Sequence, residues 1–87
     1  MKGRAKFWGK FQYVSNKQIE LALAINSYRR VHNMTQVEFA HICCLYGEPH
    51  GIKFNQFDIS NFERMIHAPN KPKFQILCNV LNLNPEI

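Results

Sequence analysis

The side chains that could do chemistry in this chain of 87 residues are few and mostly scattered. His41, Cys43, Cys44 and His50 form a cluster with the residue types of a zinc site. Structural zinc sites usually take two ligands from each of two short, well-spaced motifs, and this cluster lacks that spacing. Three cysteines without a C-x-x-C pair favour reduced thiols that pack as small apolar side chains. We therefore predict no metal and no cofactor.

The acidic residues give no sign of catalysis. The chain has six of them, spread along its length, and no nucleophile lies beside a base. A chain of this length buries roughly 64% of its unfolded surface, which is enough for one helical core but not for a deep cleft. We predict a protein that is not an enzyme and has no small-molecule substrate. The longest apolar run, Leu21–Ile25, is far below the roughly 20 residues of a membrane span, so we expect a soluble intracellular protein without a membrane partner.

The positive charge lies at the beginning of the chain. Residues 1–17 carry five cations and no acid, which equals the formal net charge of +5, so residues 18–87 are neutral overall. A basic arm on a neutral body is suited to attract a polyanion at long range, although the same cations could serve solubility alone. The aromatic side chains of the arm could also dock on the body. The arm, residues 1–15, contains the cations Lys2, Arg4, Lys6 and Lys10 and the aromatic residues Phe7, Trp8, Phe11 and Tyr13.

Residues 16–87 are predicted to form one all-α domain of four short helices. Leu21, Ile25 and Arg29 recur at steps of four and predict a first helix over about 17–32. The apolar positions on the inner faces of the four helices are predicted to form the core: Leu21, Ile25, Phe39, Ile59, Phe62, Phe74, Leu77 and Leu81.

Capping residues predict where the second and third helices begin. Thr35 and Glu38 fit a capping box, in which both side chains accept hydrogen bonds from backbone N–H groups at a helix start. Asn55 is a good cap for the third helix, and Asp58 favours the positive end of its dipole. Between these helices, residues 47–54 contain two glycines and a proline and predict a loop longer than a tight turn.

A fourth helix is predicted near the end of the chain. Pro72 suits the first position of a helix, where a backbone N–H has no intrahelical partner. Phe74, Leu77 and Leu81 follow at helical spacing, and Pro85 ends the helix.

Six short motifs, in their order and spacing, resemble the lambda-repressor-like helix-turn-helix superfamily and, within it, the POU-specific domain. The resemblance covers about residues 19–83. It implies a small bundle of four to five helices, with a lengthened loop between helices 2 and 3, that binds DNA. The motifs are Arg29, Thr35-Gln36-Val37-Glu38-Phe39-Ala40, Leu45-Tyr46-Gly47, Phe54-Asn55-Gln56, Ile59-Ser60-Asn61-Phe62-Glu63 and the stretch Pro69–Leu83.

The start of the third helix is the element predicted to read bases. A helix fits the major groove, where its N-terminal residues reach base edges. Gln56 carries an amide that can donate to N7 and accept from N6 of adenine, a pair worth about 1–3 kcal/mol of discrimination. The same glutamine could instead be a solvated residue at a helix start. The predicted base-reading residues are Gln56, Phe57, Ser60 and Asn61.

The resemblance also implies supporting roles for residues of the first two helices. The glutamine that opens the second helix, here Gln36, braces the reading glutamine in the family and touches a phosphate. Thr35 lies beside it at a helix start, where backbone N–H groups favour an anion. An arginine late in helix 1 pairs with a glutamate of helix 3 in the superfamily, which implies a structural ion pair between Arg29 and Glu63. Further phosphate contacts are predicted for Lys53, Arg64, Lys71 and Lys73.

Three departures from the family pattern leave the partner open. Asn61 stands where the family has an arginine that reads guanine, so affinity should fall and preference should shift toward adenine. Phe57 stands at a position that is usually polar, where it could contact a thymine methyl or form a protein-binding patch with Ile52 and Phe54. No homeodomain follows before Ile87, so we expect a piece of a larger protein, a dimer or a recruited subunit.

Two hypotheses of function follow from these residues. The first is a sequence-specific module that binds double-stranded DNA in the nucleus, in transcription or another chromatin-templated process. The alternative is an adaptor on the same fold that bridges subunits of a chromatin-associated complex through Phe57, Ile52, Phe54 or the aromatic arm. The arm could also follow the minor groove or stack on unpaired RNA bases.

Overall fold

Four α-helices and one turn of 3-10 helix form the part of the chain that this computed structural model describes, residues 16–83. This part contains no strand, so the prediction of a small all-α bundle is confirmed. The arm of residues 1–15, including Lys2, Arg4, Lys6 and Lys10, lies outside the described residues. The helices are α1 (Asn16–His32), α2 (Gln36–Gly47), the 3-10 turn (Glu48–His50), α3 (Gln56–Glu63) and α4 (Lys71–Leu81).

The predicted caps of α2 and α3 are both present as complete capping boxes. The N–H of Glu38 donates to Thr35 Oγ1 at 3.1 Å, and the N–H of Thr35 donates to Glu38 Oε1 at 2.9 Å. Asn55 and Asp58 make the same pair of hydrogen bonds at 2.9 and 3.1 Å. Asp58 therefore stabilises the start of α3 in two ways, by a hydrogen bond from the N–H of Asn55 and by its negative charge near the positive end of the helix dipole. The starts of α2 and α3 are therefore fixed by local side chains.

The boundaries of α4 differ slightly from the prediction. Lys71 is the first helical residue and Pro72 the second, because the cap is Asn70, whose Oδ1 accepts from the N–H of Lys73 at 3.0 Å. The last helical residue is Leu81, and the C-cap Asn82 adopts a left-handed conformation with φ of 59°. Pro85, predicted to end this helix, lies outside the described residues.

The core lies where α2 and α4 pack together and α3 closes the bundle against α1 and α2. Six of the eight predicted core residues are buried, but Phe74 and Leu81 are only half-buried. Both lie toward the ends of α4, and Phe74 lines a groove that is open to solvent. Among the larger buried side chains, those of Phe54, Ile76 and Val80 were not predicted.

Two of the three cysteines behave as predicted, as small apolar side chains in the core. Cys43 is fully buried and Cys78 is 2% exposed. Burial, and to a lesser extent the neighbouring Cys44 thiol, raises the pKa of Cys43 from 9.0 to about 12. Burial also raises the pKa of Cys78, against a smaller opposing effect of Lys17. Both thiols therefore remain neutral at physiological pH.

The stability of the fold should decrease above pH 9 because of Cys43. The folded thiol stays protonated up to about pH 12, whereas the unfolded thiol ionises above 9.0. The unfolded state then binds fewer protons, so the free energy of unfolding should drop by about 1 kcal/mol between pH 8 and pH 10. Urea unfolding at pH 8 and at pH 10, with Cys43→Ala as the control, measures this loss of stability. The variant should lose less stability over the same interval, and an equal loss in both proteins would contradict the assignment.

Candidate nucleic-acid interface

A continuous chain of polar side chains, most of them partly buried, connects the ends of α1 and α3 to the start of α3. Arg29 on α1 donates from Nε to Glu63 Oε2 at 2.7 Å and from Nη2 to Glu63 Oε1 at 3.0 Å. Gln36 Nε2 donates to the same Oε1 at 2.7 Å, and Gln56 Nε2 donates to Gln36 Oε1 at 3.4 Å. The predicted ion pair and the predicted contact between the two glutamines are both present. The hydrogen bond from Gln36 to Glu63 was not predicted.

This relay, Arg29–Glu63–Gln36–Gln56, has a direction that chemistry imposes. A carboxylate only accepts hydrogen bonds, so the Gln36 amide must turn its NH₂ toward Glu63 and its oxygen toward Gln56. The Gln56 amide must then present its NH₂ to Gln36. One N–H and the oxygen of Gln56 remain for a ligand. Glu63, whose side chain is 9% exposed, thereby holds the Gln36 amide in one orientation, and the longer 3.4 Å hydrogen bond favours the matching orientation of the exposed Gln56 amide.

The outward face of α3 carries the other predicted base-reading residues. Ile59 and Phe62 are buried on its inner face. Phe57, Asn61 and Arg64 follow at helical spacing on the opposite side, with the half-buried Ser60 beside them. Phe57 is the most exposed of the three predicted base-reading residues beside Gln56, at 78%, whereas Ser60 and Asn61 are half-buried.

The proposed apolar patch around Phe57 was wrong in one respect. Phe54 is 6% exposed and belongs to the core, and Ile52 is half-buried against it. The sequence placed Phe54 in a loop, but tertiary packing turns its ring inward. Phe54 is therefore not available for an apolar surface patch around Phe57, and Ile52 is only partly available.

The cations predicted to contact phosphates fall into two groups. Lys53, Arg64 and Lys71 are exposed, and none of them makes an ion pair within residues 16–83. Lys73 is half-buried: its Nζ lies 3.2 Å from Asp58 Oδ2 and 5.5 Å from the centre of the Phe54 ring. Lys73 thus supports the start of α3 instead of offering a free charge. Lys71 lines a groove at the start of α4 and lies outside the relay.

Cys44 holds the segment that leads into α3, a role the sequence did not predict. Its thiol donates to the carbonyl oxygen of Phe54 at 3.1 Å and accepts from the N–H of Phe54 at 3.2 Å. Cys44 differs from the other two cysteines in that it is half-buried at the edge of the core and its thiol also makes these polar contacts. No local signal could have found this contact, because ten residues and a loop separate the partners.

Gly47 is required where the loop folds back on α2. A Cβ at this position would meet the carbonyl oxygen of Ile52 at 2.5 Å, and the N–H of Ile52 donates to the carbonyl oxygen of Gly47 at 3.0 Å. The loop between α2 and α3 is thus attached at both ends, by Gly47 and by Cys44. This attachment positions Lys53 and Gln56 relative to α2.

The described part of the chain contains neither a group of metal-ligating side chains nor a helix that could span a membrane. Across residues 16–83, no three histidine, cysteine, aspartate or glutamate side chains group closely enough to hold a metal ion. Cys43, one of the four residues with zinc-ligand chemistry, is buried as a neutral thiol. No helix in the same range is long and apolar enough to span a bilayer.

Comparison of the chain with protein-family models, with curated proteins and with solved structures found no match. The assignment to the POU-specific domain thus stays a prediction that rests on the sequence motifs. What the outward face of α3 binds has to be inferred from the side chains that it presents.

Proposed function

We propose that the chain is a sequence-specific module that binds double-stranded DNA through the start of α3, in transcription or another chromatin-templated process in the nucleus. The proposal includes membership of the POU-specific-like helix-turn-helix proteins. The observation that carries it is the relay, because it leaves Gln56 with one N–H donor and one oxygen acceptor on an exposed helix start. These are the two groups that pair with N7 and N6 of adenine in the major groove.

Phosphate contacts are expected on both sides of this reading position. At the start of α2, the first backbone N–H groups have no intrahelical partner. The side-chain amide of Gln36, the first residue of α2, has a second N–H that does not bond to Glu63. The hydroxyl of Thr35 accepts from Glu38 and keeps its own proton to donate. Lys53 is exposed shortly before α3, and Arg64 is exposed directly after the last residue of α3. Together with Lys71 and the four arm cations, about four to seven phosphate contacts are feasible.

Binding to duplex DNA should depend steeply on salt. With four to seven contacts, the logarithm of affinity falls by about 0.9 per contact for each tenfold rise in salt. We expect affinity for a labelled duplex to drop between about 10²-fold and 10⁴-fold from 50 to 200 mM salt, measured by fluorescence polarisation.

A charge-removal variant makes this titration specific. Lys53→Ala combined with Arg64→Ala should reduce the slope by about 2, whereas Lys73→Ala should change it little because Asp58 already neutralises Lys73. Binding that is absent, or independent of salt, in a folded protein would contradict a DNA-binding role.

The adaptor hypothesis is the second candidate, and one observation favours it. A groove of about 490 Å³ lies between the end of α1 and the start of α2, lined by Met34, Val37 and Ile42 among others. Val37 is 56% exposed, so this groove presents apolar surface to the solvent. A protein-docking role predicts a folded chain that does not bind DNA and that loses a co-purifying subunit when Phe57 or Val37 becomes alanine.

A further inference from the structure

Phe57 is an unusual side chain for the face on which it stands. It is 78% exposed, although α3 buries Ile59 and Phe62 and presents polar residues elsewhere on its outward face. None of the aromatic or cation–π contacts among residues 16–83 involves the Phe57 ring. The ring therefore contributes little to the folded state and is available to a ligand.

The position of Phe57 relative to Gln56 limits what that ligand can be. The two residues are consecutive at the start of α3, so their Cα atoms differ by about 1.5 Å of rise along the helix axis. If Gln56 lies against a base, the side chain of Phe57 reaches a neighbouring base pair, because successive base pairs are about 3.4 Å apart. Phe57 thus meets base edges in the same groove as the reading amide.

The chemistry of the ring then selects the base. A phenyl group neither donates nor accepts a conventional hydrogen bond, so contact with a polar base edge would strip water from groups that gain no partner. The C5 methyl group of thymine is the apolar group in the major groove, and 5-methylcytosine carries the same methyl. We infer that Phe57 makes this surface selective for a 5-methylpyrimidine next to the adenine that Gln56 reads, an inference that rests on the proposed function.

Removing a single methyl group tests this inference. A random duplex pool made with thymine is used to select the sequences that the protein binds, and each thymine of the selected duplex is then replaced singly by deoxyuridine. Replacement at one position should weaken binding about fourfold, equivalent to the roughly 0.8 kcal/mol of one buried methyl group. Phe57→Ala should bind the thymine and deoxyuridine duplexes equally.

The source of the methyl group is distinguished by a second pair of duplexes. Affinities for duplexes with cytosine and with 5-methylcytosine are compared at the sensitive position. About fourfold tighter binding to the methylated duplex means that the methyl group alone is read. Equal affinity for the two duplexes means that thymine itself is read. Leu23→Ala is the matched control, because Leu23 is also an exposed apolar residue but lies on α1. This variant should retain the difference in affinity between the thymine and deoxyuridine duplexes.

The outcomes separate this inference from the proposed function. Salt-dependent binding with no difference between thymine and deoxyuridine at any position overturns the role of Phe57 and leaves DNA binding standing. Failure to bind any duplex pool overturns both. A methyl effect that persists in Phe57→Ala assigns the discrimination to another side chain and overturns the inference.

Discussion

Replacing Glu63 by glutamine is expected to lower the free energy of unfolding by about 2–4 kcal/mol, because it leaves the Arg29 guanidinium partly buried without a counter-charge. The two side chains are only 19% and 9% exposed, and Glu63 accepts three hydrogen bonds, from Arg29 Nε, Arg29 Nη2 and Gln36 Nε2. A glutamine in the same place offers one acceptor oxygen and turns an NH₂ toward donors. Few single changes on the surface of α3 should be as costly.

Thermal and urea unfolding measure this effect directly. A loss of this size should lower the Tm by roughly 10–20 °C in a domain of this length. Lys73→Ala is the matched control, because it breaks the more exposed ion pair with Asp58 and should cost less than about 1 kcal/mol. An unchanged Tm for Glu63→Gln would show that the pair contributes nothing to the fold.

A double variant distinguishes an unpaired charge from a general packing defect. If the cost of Glu63→Gln comes from the stranded guanidinium, then adding Arg29→Met should cost less than the sum of the two single changes. Additive losses would instead mean that each residue stabilises the fold independently. The second result would remove the ion pair as the link between α1 and α3.

Replacing Gln56 by alanine should remove base preference with little effect on folding. The side chain is exposed, and it carries the groups that match adenine. For wild type, exchanging the contacted A·T pair for G·C in the selected duplex should cost about 1–3 kcal/mol, or about 5-fold to 150-fold in affinity. For Gln56→Ala this difference should disappear, while the salt dependence should remain, since phosphates supply it.

Gln75→Ala provides the matched control for this prediction. Gln75 is an exposed glutamine on α4 that lines a groove near the start of α1 and makes no contact with the relay. The substitution should leave the preference at the A·T pair unchanged. If Gln56→Ala retains the wild-type preference, the reading amide is not at residue 56 and the proposed geometry is wrong.

Local features of this fold were predictable from sequence, and long-range features mostly were not. The capping boxes at Thr35 and Asn55 involve side chains three residues apart, so their geometry is encoded in a few adjacent positions. The burial of Phe54 depends instead on how the loop packs against α2, which hydrophobic periodicity does not report. The contact of Cys44 with the same residue is likewise tertiary.

The candidate site divides in the same way. The ion pair between Arg29 and Glu63 joins residues 34 positions apart, and only the resemblance to a family predicted it. The hydrogen bond from Gln36 to Glu63, which sets the orientation of both amides, had no sequence signal. Lys73 looked like a free cation in sequence, but its pairing with Asp58 requires the side chains at the starts of α4 and α3 to meet.

The relay also bears on the entropy of recognition. A glutamine side chain that must be immobilised on binding loses about 0.5–1.5 kcal/mol of rotamer freedom. In this protein the fold restricts the Gln56 amide before any ligand arrives, through a hydrogen bond to Gln36 that is itself held by Glu63. Part of the ordering penalty is therefore met during folding, and a small interface can devote more of its contact energy to discrimination.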